Sequence, residues 1–174
     1  MSAEIVKVYK QDVPALRFIG KKYGDIDRVN GMFYKQWEEW FQNKWFDIIA
    51  KQTDRDLKTM YEDDDAYIGL MRWKDDEPFE YWIGIFMPAE TTIPDGFEYH
   101  DFQKATWGVC WVHGNNNEVF MQENNCRQKL EEEGNEILKD NEEALWFFER
   151  YVSPRFTAPD EKGKIVLDIC FYVE

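Results

Sequence analysis

The residues best suited to chemistry lie in Ala144-Leu-Trp-Phe-Phe-Glu-Arg-Tyr-Val152, where one acid sits in a run of aromatic side chains. In an extended chain successive side chains point to opposite faces, so Leu145, Phe147, Glu149 and Tyr151 share one side and Trp146, Phe148 and Arg150 the other. If the first row lines a closed cavity, an ionised Glu149 loses its water and needs a cation, hydrogen-bond donors or a proton. An aromatic cavity floored by one acid favours flat cationic ligands, through stacking, cation–π attraction and charge pairing. The alternative is a strand end at which Glu149 faces solvent beside Arg150.

Other chemistries find little to work with. Ser2 and Ser153 are the only serines and neither sits in a nucleophile elbow. Gly20, Gly24, Gly69 and Gly84 match no phosphate-cradling fingerprint and read instead as places of close backbone approach or sheet bending. His100 and His113 lack ligand spacing, and Glu62-Asp-Asp-Asp65 lacks the glycine and terminal glutamate of a calcium loop, so no metal and no cofactor are expected. Cys110, Cys126 and Cys170 are odd in number and far apart, which suggests reduced thiols rather than a disulfide framework.

Charge and composition narrow the partners. The net charge of −14 repels phosphate backbones and anionic membrane surfaces, so neither direct nucleic-acid binding nor membrane association is expected. An aromatic content of 17% exceeds what folding requires and fits either a ring-lined cavity or a core filled with large rings. The opening residues Met1-Ser-Ala-Glu-Ile-Val-Lys7 lack the apolar stretch of a signal peptide, and no apolar run has the length of a membrane span. A cytoplasmic location is therefore expected.

Several elements must position Glu149. Glu4 to Tyr9 is β-prone, and Ala15 to Gly24 follows as a second run after Pro14. From about Arg28 to Lys51, Phe33, Trp37, Phe41 and Ile48 recur at helical spacing, with Trp40 and Trp45 widening the stripe. Gln52 to Asp65 reads as a loop with room for a helical turn or two. Ala66–Trp73 and Phe79–Met87 read as a hairpin joined by Lys74-Asp-Asp-Glu-Pro78. After a polar linker with Pro94, Phe102 to Gly114 begins a new strand, a helix carrying Phe120 and Cys126 runs from about Glu118 to Leu130 or beyond, and 144–152 and 164–173 supply two more strands.

The order strand, helix, strand, strand thus occurs twice, and Ala66–Trp73 aligns with Ala144–Tyr151. The expectation is one α+β domain over residues 1–174, built from module one (about 4–88) and module two (about 98–174). The modules would be related by a pseudo-twofold axis, with antiparallel sheets, helices outside and a central ligand cleft. Tyr67, Gly69, Met71 and Trp73 would face that cleft with Phe147, Glu149 and Tyr151, while Ile68 and Leu70 would pack beneath helix one.

The order of elements, together with Tyr81-Trp-Ile-Gly-Ile, Lys104-Ala-Thr-Trp…His113-Gly114, Phe148-Glu-Arg-Tyr151 and Ile165-Val-Leu-Asp-Ile, resembles the GyrI-like small-molecule-binding domain. This is the effector-binding domain of multidrug-sensing transcription regulators, and the resemblance covers about residues 4 to 174. It implies a central cleft in which a glutamate on the strand before the last, here Glu149 with Tyr151 beside it, meets cationic aromatic drugs. The implied ligand-contacting set is Glu149, Tyr151, Phe147, Tyr67, Met71, Trp73, Trp82, Phe33, Trp37 and Phe120, although core packing is an equal role for Phe33 and Trp37. Regulators of this family carry a separate helix-turn-helix domain, for which the chain leaves no residues. Stand-alone members include hydrolases that open the cyclopropane of cyclopropanoid DNA-alkylating antibiotics. In such an enzyme Glu149 would be general base or acid, and Tyr151 would orient the water or donate to the developing negative charge. A further alternative is a module that docks a separate regulator protein through an exposed aromatic surface.

Overall fold

The computed structural model describes residues 3–53 and 60–174. The elements run β1 (Glu4–Val13), β2 (Leu16–Tyr23), α1 (Tyr34–Gln42), α2 (Trp45–Ala50), β3 (Tyr67–Trp73), β4 (Glu80–Pro88), β5 (Glu98–Phe102), β6 (Ala105–Gly114), α3 (Glu123–Glu132), β7 (Leu145–Tyr151) and β8 (Ile165–Val173). The strands form one antiparallel sheet of eight, in the order β1-β6-β8-β7-β3-β4-β2-β5. The class is α+β as expected, but the sheet is continuous rather than divided.

That order reads the same from either end when β1 to β4 are exchanged with β5 to β8. The central pair β3–β7 sets Gly69 opposite Glu149, Leu70 opposite Phe148 and Met71 opposite Phe147. A twofold axis through Leu70–Phe148 requires this register when Ala66 is aligned with Ala144. The edge strands are exchanged: β1 pairs with β6, and β5 pairs with β2. The polar linker expected between Pro88 and Phe102 therefore contains a strand, whose exposed, weakly alternating residues gave no apolar period to read.

Both faces of the sheet are covered. On one, Ile19, Met71, Tyr81, Ile83 and Ile85 pack with Phe33, Trp40, Phe46 and Ile49, which come from α1, α2 and the residue before α1. Farther along the same face, Cys110, Leu167, Ile169 and Phe171 pack with Cys126 and Leu130 of α3. On the other, Ile68, Leu70, Phe148, Trp82, Phe86 and Trp107 form a separate core, against which Met60 and Tyr61 pack. This corrects the expected layering: Ile68 and Leu70 lie on the face away from helix one, and the helices flank Glu149 on its own face.

The helices are shorter than their periodicity suggests. Helix one is broken at Lys44, whose φ of 53° is left-handed and ends the run after Asn43. Residues 115–121 turn before α3 begins, so Phe120 precedes that helix instead of lying on it. The expected turn or two between Gln52 and Asp65 falls in part on residues 54–59, which lie outside those described. Among the described residues no helix is long and apolar enough to cross a membrane.

Candidate functional site

Glu149 lies at the centre of the sheet, and strand register explains its surroundings. Across the seam its neighbour is Gly69, and a side chain there would have no room. A Cβ on Gly69 would stand 2.5 Å from the Tyr81 hydroxyl oxygen and 3.3 Å from Glu149 Oε2. Tyr81 reaches this spot because the β3–β4 hairpin sets it opposite Met71, on the Glu149 face. Glu149 is 7% exposed, and its Oε2 accepts hydrogen bonds from the hydroxyls of Tyr151 and, at a long 3.5 Å, Tyr81. The Tyr81 oxygen in turn accepts the indole N–H of Trp37 at 3.0 Å.

Rings wall this chain of hydrogen bonds. Phe33 lies flat on Tyr81 with centroids 4.2 Å apart, and Trp37 meets Tyr151 edge-on at 4.8 Å. Tyr67 is stacked on Phe46 at 3.8 Å, and Phe147 on Phe171 at 5.3 Å. Phe156 closes the far side of Tyr151 at 4.7 Å and touches Phe120 at 6.4 Å. The seam is thus a packed aromatic box rather than an open cleft.

The electrostatics follow from burial. Loss of water pushes the Glu149 carboxyl up to about 7, the Tyr151 and Tyr81 hydrogen bonds pull it down, and the Glu123 carboxylate adds to the rise. Burial first, and the adjacent carboxylate second, push both phenols well above their ordinary range, so they remain protonated donors. Among the described residues no lysine, arginine or histidine lies within ion-pair distance of Glu149. Its Oε2 has phenol donors and its charge has no counter-ion.

The structure brings together Glu149, Tyr151, Tyr67, Met71, Phe147, Phe33 and Trp37, with Phe120 behind Phe156. Trp73 is at the strand end and 44% exposed. Trp82 is a correction. It pairs with Leu70 and belongs to the opposite core, because one step along a strand reverses the face. The residue needed at that site was Tyr81, and the hairpin register with period two is the signal that finds it. Phe46 and Gly69 also belong to the site. Among the described residues no group of three or more His, Cys, Asp or Glu side chains could hold a metal.

No family model matches the chain, and no curated protein matches its sequence. Solved structures do match over nearly its whole length. SAV2435 bound to tetraphenylphosphonium superposes with a TM-score of 0.64 at 15% identity, covering 97% of this chain and 94% of that one. A chain from Staphylococcus aureus MU50, assigned provisionally to transcription regulation, gives 0.62 at 15%, covering 97% and 98%. A hydrolase from Listeria innocua gives 0.52 at 14%, covering 97% and 92%. At these identities the likeness is one of fold.

Proposed function

We propose that this chain is a relative of the GyrI-like domains and binds hydrophobic aromatic cations at the β3–β7 seam. Glu149 supplies the counter-charge, Tyr67, Met71, Phe147 and Tyr151 supply the walls, and the Trp37 indole over Glu149 must yield space to the ligand. The observation that carries this is the uncompensated carboxyl: it is buried, held by phenol donors alone and enclosed by rings. A cation entering the box pairs with the carboxylate, and its rings gain stacking and cation–π contacts that a neutral or anionic molecule cannot all match. A fold neighbour holding tetraphenylphosphonium supports the choice of ligand class.

Titrating tetraphenylphosphonium against tryptophan fluorescence tests this, with neutral triphenylphosphine oxide as the control. Micromolar binding of the cation is expected, with a loss on the order of tenfold or more in Glu149→Gln, as for a buried charge left without its partner. Equal affinity for the cation in wild type and variant would sink the reading.

A second reading rests on the position of the Glu149 carboxyl at about 7, where acid and base forms coexist near neutrality. Such a group could take a proton from water as its hydroxyl attacks the strained carbon of a cyclopropanoid ring, with the broken carbon–carbon bond delivering its electrons to the ligand carbonyl. Tyr151 would orient that water. Incubation with a cyclopropanoid should then give a product heavier by one water, and full turnover by Glu149→Gln would remove the mechanism.

A further inference from the structure

The larger of two grooves described, about 730 Å³, lies on the sheet face opposite Glu149. Its floor is Trp82, Arg72 and Trp146 on β4, β3 and β7; one wall is β5 with the link to β6, and the other is the link 138–142. His100 lies over Trp146 with centroids 4.4 Å apart, and Phe102 stacks on Tyr172 at 5.2 Å, so flat surfaces follow one another along it.

The charges in the groove are unevenly engaged. Each of its five carboxylates already has a partner. Asp101 pairs with Arg17 at 2.7 Å, and Glu77 pairs with Lys74 at 2.8 Å. Glu80 accepts the Trp82 indole N–H at 3.0 Å, and Glu142 lies 3.6 Å from Arg72. Asp140 accepts backbone N–H groups from Glu142 and Ala144 and the Trp146 indole N–H. The lysines differ. Lys22, Lys104 and Lys139 line the groove, and among the described residues none has a carboxylate within ion-pair distance. The lining holds five carboxylates and four cations, but Arg17 and Lys74 from outside it pair with Asp101 and Glu77, so the lysines are the charges left without an opposite partner. Three ammonium groups without a carboxylate partner, that of Lys22 5.8 Å over the Trp82 ring, stand around aromatic surfaces and form the reverse of the Glu149 box.

We propose that this groove is a second binding site, selective for planar aromatic anions. The ring would lie along His100, Phe102 and Trp82, and its carboxylate or phosphate would reach Lys104 and Lys139 on opposite walls. Arg72, 7% exposed and shared among three glutamates, holds the acidic side of the floor in place instead of meeting the ligand. The site stands apart from Glu149, so neither proposal depends on the other.

The test compares 2-naphthoate and 2-naphthyl phosphate with neutral 2-naphthol and cationic 2-naphthylmethylammonium, followed by NMR of the tryptophan indole N–H groups. At least one anion should bind roughly fivefold or more tighter than the neutral and cationic probes and should move the Trp82 and Trp146 signals; which anion binds better distinguishes carboxylate from phosphate. The exposed pair Lys104→Gln and Lys139→Gln, changed together, should weaken that binding by roughly fivefold or more, the effect of losing two exposed charge contacts. Glu149→Gln should leave it unchanged. Absence of anion binding, equal or tighter binding of the ammonium probe, an unaffected double variant, or shifts confined to Trp37 would each overturn the proposal.

Discussion

At Glu149 the physics is that of a charge removed from water without a counter-ion. Because its folded-state pKa of about 7 lies above the ordinary carboxyl value, the folded protein binds this proton more tightly than the unfolded chain does. The stabilising contribution is complete below the ordinary carboxyl range and is lost as pH rises toward 7. Glu149→Gln keeps an oxygen for Tyr151 and removes the charge. It should therefore be more stable than wild type at pH 8, by up to about 3 kcal/mol, with little difference at pH 4. Urea titrations at both pH values measure this, and a gap that does not change with pH would contradict it. The proposed cation binding should run the other way, strengthening as pH rises through 7 and Glu149 ionises. Gly69→Ala should cost about 1–3 kcal/mol, because the new methyl meets the Tyr81 hydroxyl and pushes it off the carboxylate. At this scale the sequence was legible wherever alternation along one strand sufficed, as for Phe147, Glu149 and Tyr151. It failed at Trp82, where the face depends on pairing between strands, which turns Tyr81 and not Trp82 toward Glu149.

Among elements, the β3–β7 pair and the α1–α2 unit decide what the site can do. The two strands put the acid opposite a glycine, and α1 brings Trp37 over it, so the indole occupies space that a ligand ring would need. Trp37→Ala should open the box. The expected outcome is tighter binding of tetraphenylphosphonium by several-fold together with a loss of stability of roughly 3 kcal/mol, the usual cost of truncating a packed aromatic side chain. Calorimetric titration and thermal unfolding separate the two effects, and weaker binding would make Trp37 a wall instead of a plug. The helical stripe from Phe33 to Ile48 was readable, but the break at Lys44 was not. A left-handed residue is set by how the two short helices dock on Ile83 and Ile85, and lysine has no special preference for it. Strand β5 escaped for a related reason: a five-residue edge strand that turns only His100 and Phe102 inward is too short to show an apolar period.

Over the whole molecule, the halves are tied by exchanged edges and by a charged cluster. Arg150 and Asp168, both fully buried, pair at 2.8 Å, and Arg150 also donates to Gln11 at 2.8 Å and to the Tyr9 hydroxyl at 3.1 Å on β1. Arg155 bonds Asp168 and, at 2.9 Å, Asp63, which anchors the 60–64 segment over the far core. Asp168→Asn would leave two guanidinium groups short of charge where water cannot help, at a cost of about 3–5 kcal/mol seen in the urea midpoint. The succession of strands and helices was legible because each element carries its own period along the chain. The exchange of edges was not, since pairing between β1 and β6 leaves no mark in local periodicity.

That exchange bears on how the chain is made. Val8 finds Cys110 roughly a hundred residues later, so during synthesis the first strand leaves the ribosome long before its neighbour exists. Until β6 emerges, the β1 backbone is open to any passing strand, which makes the nascent amino-terminal half the stage at which a chaperone is most needed.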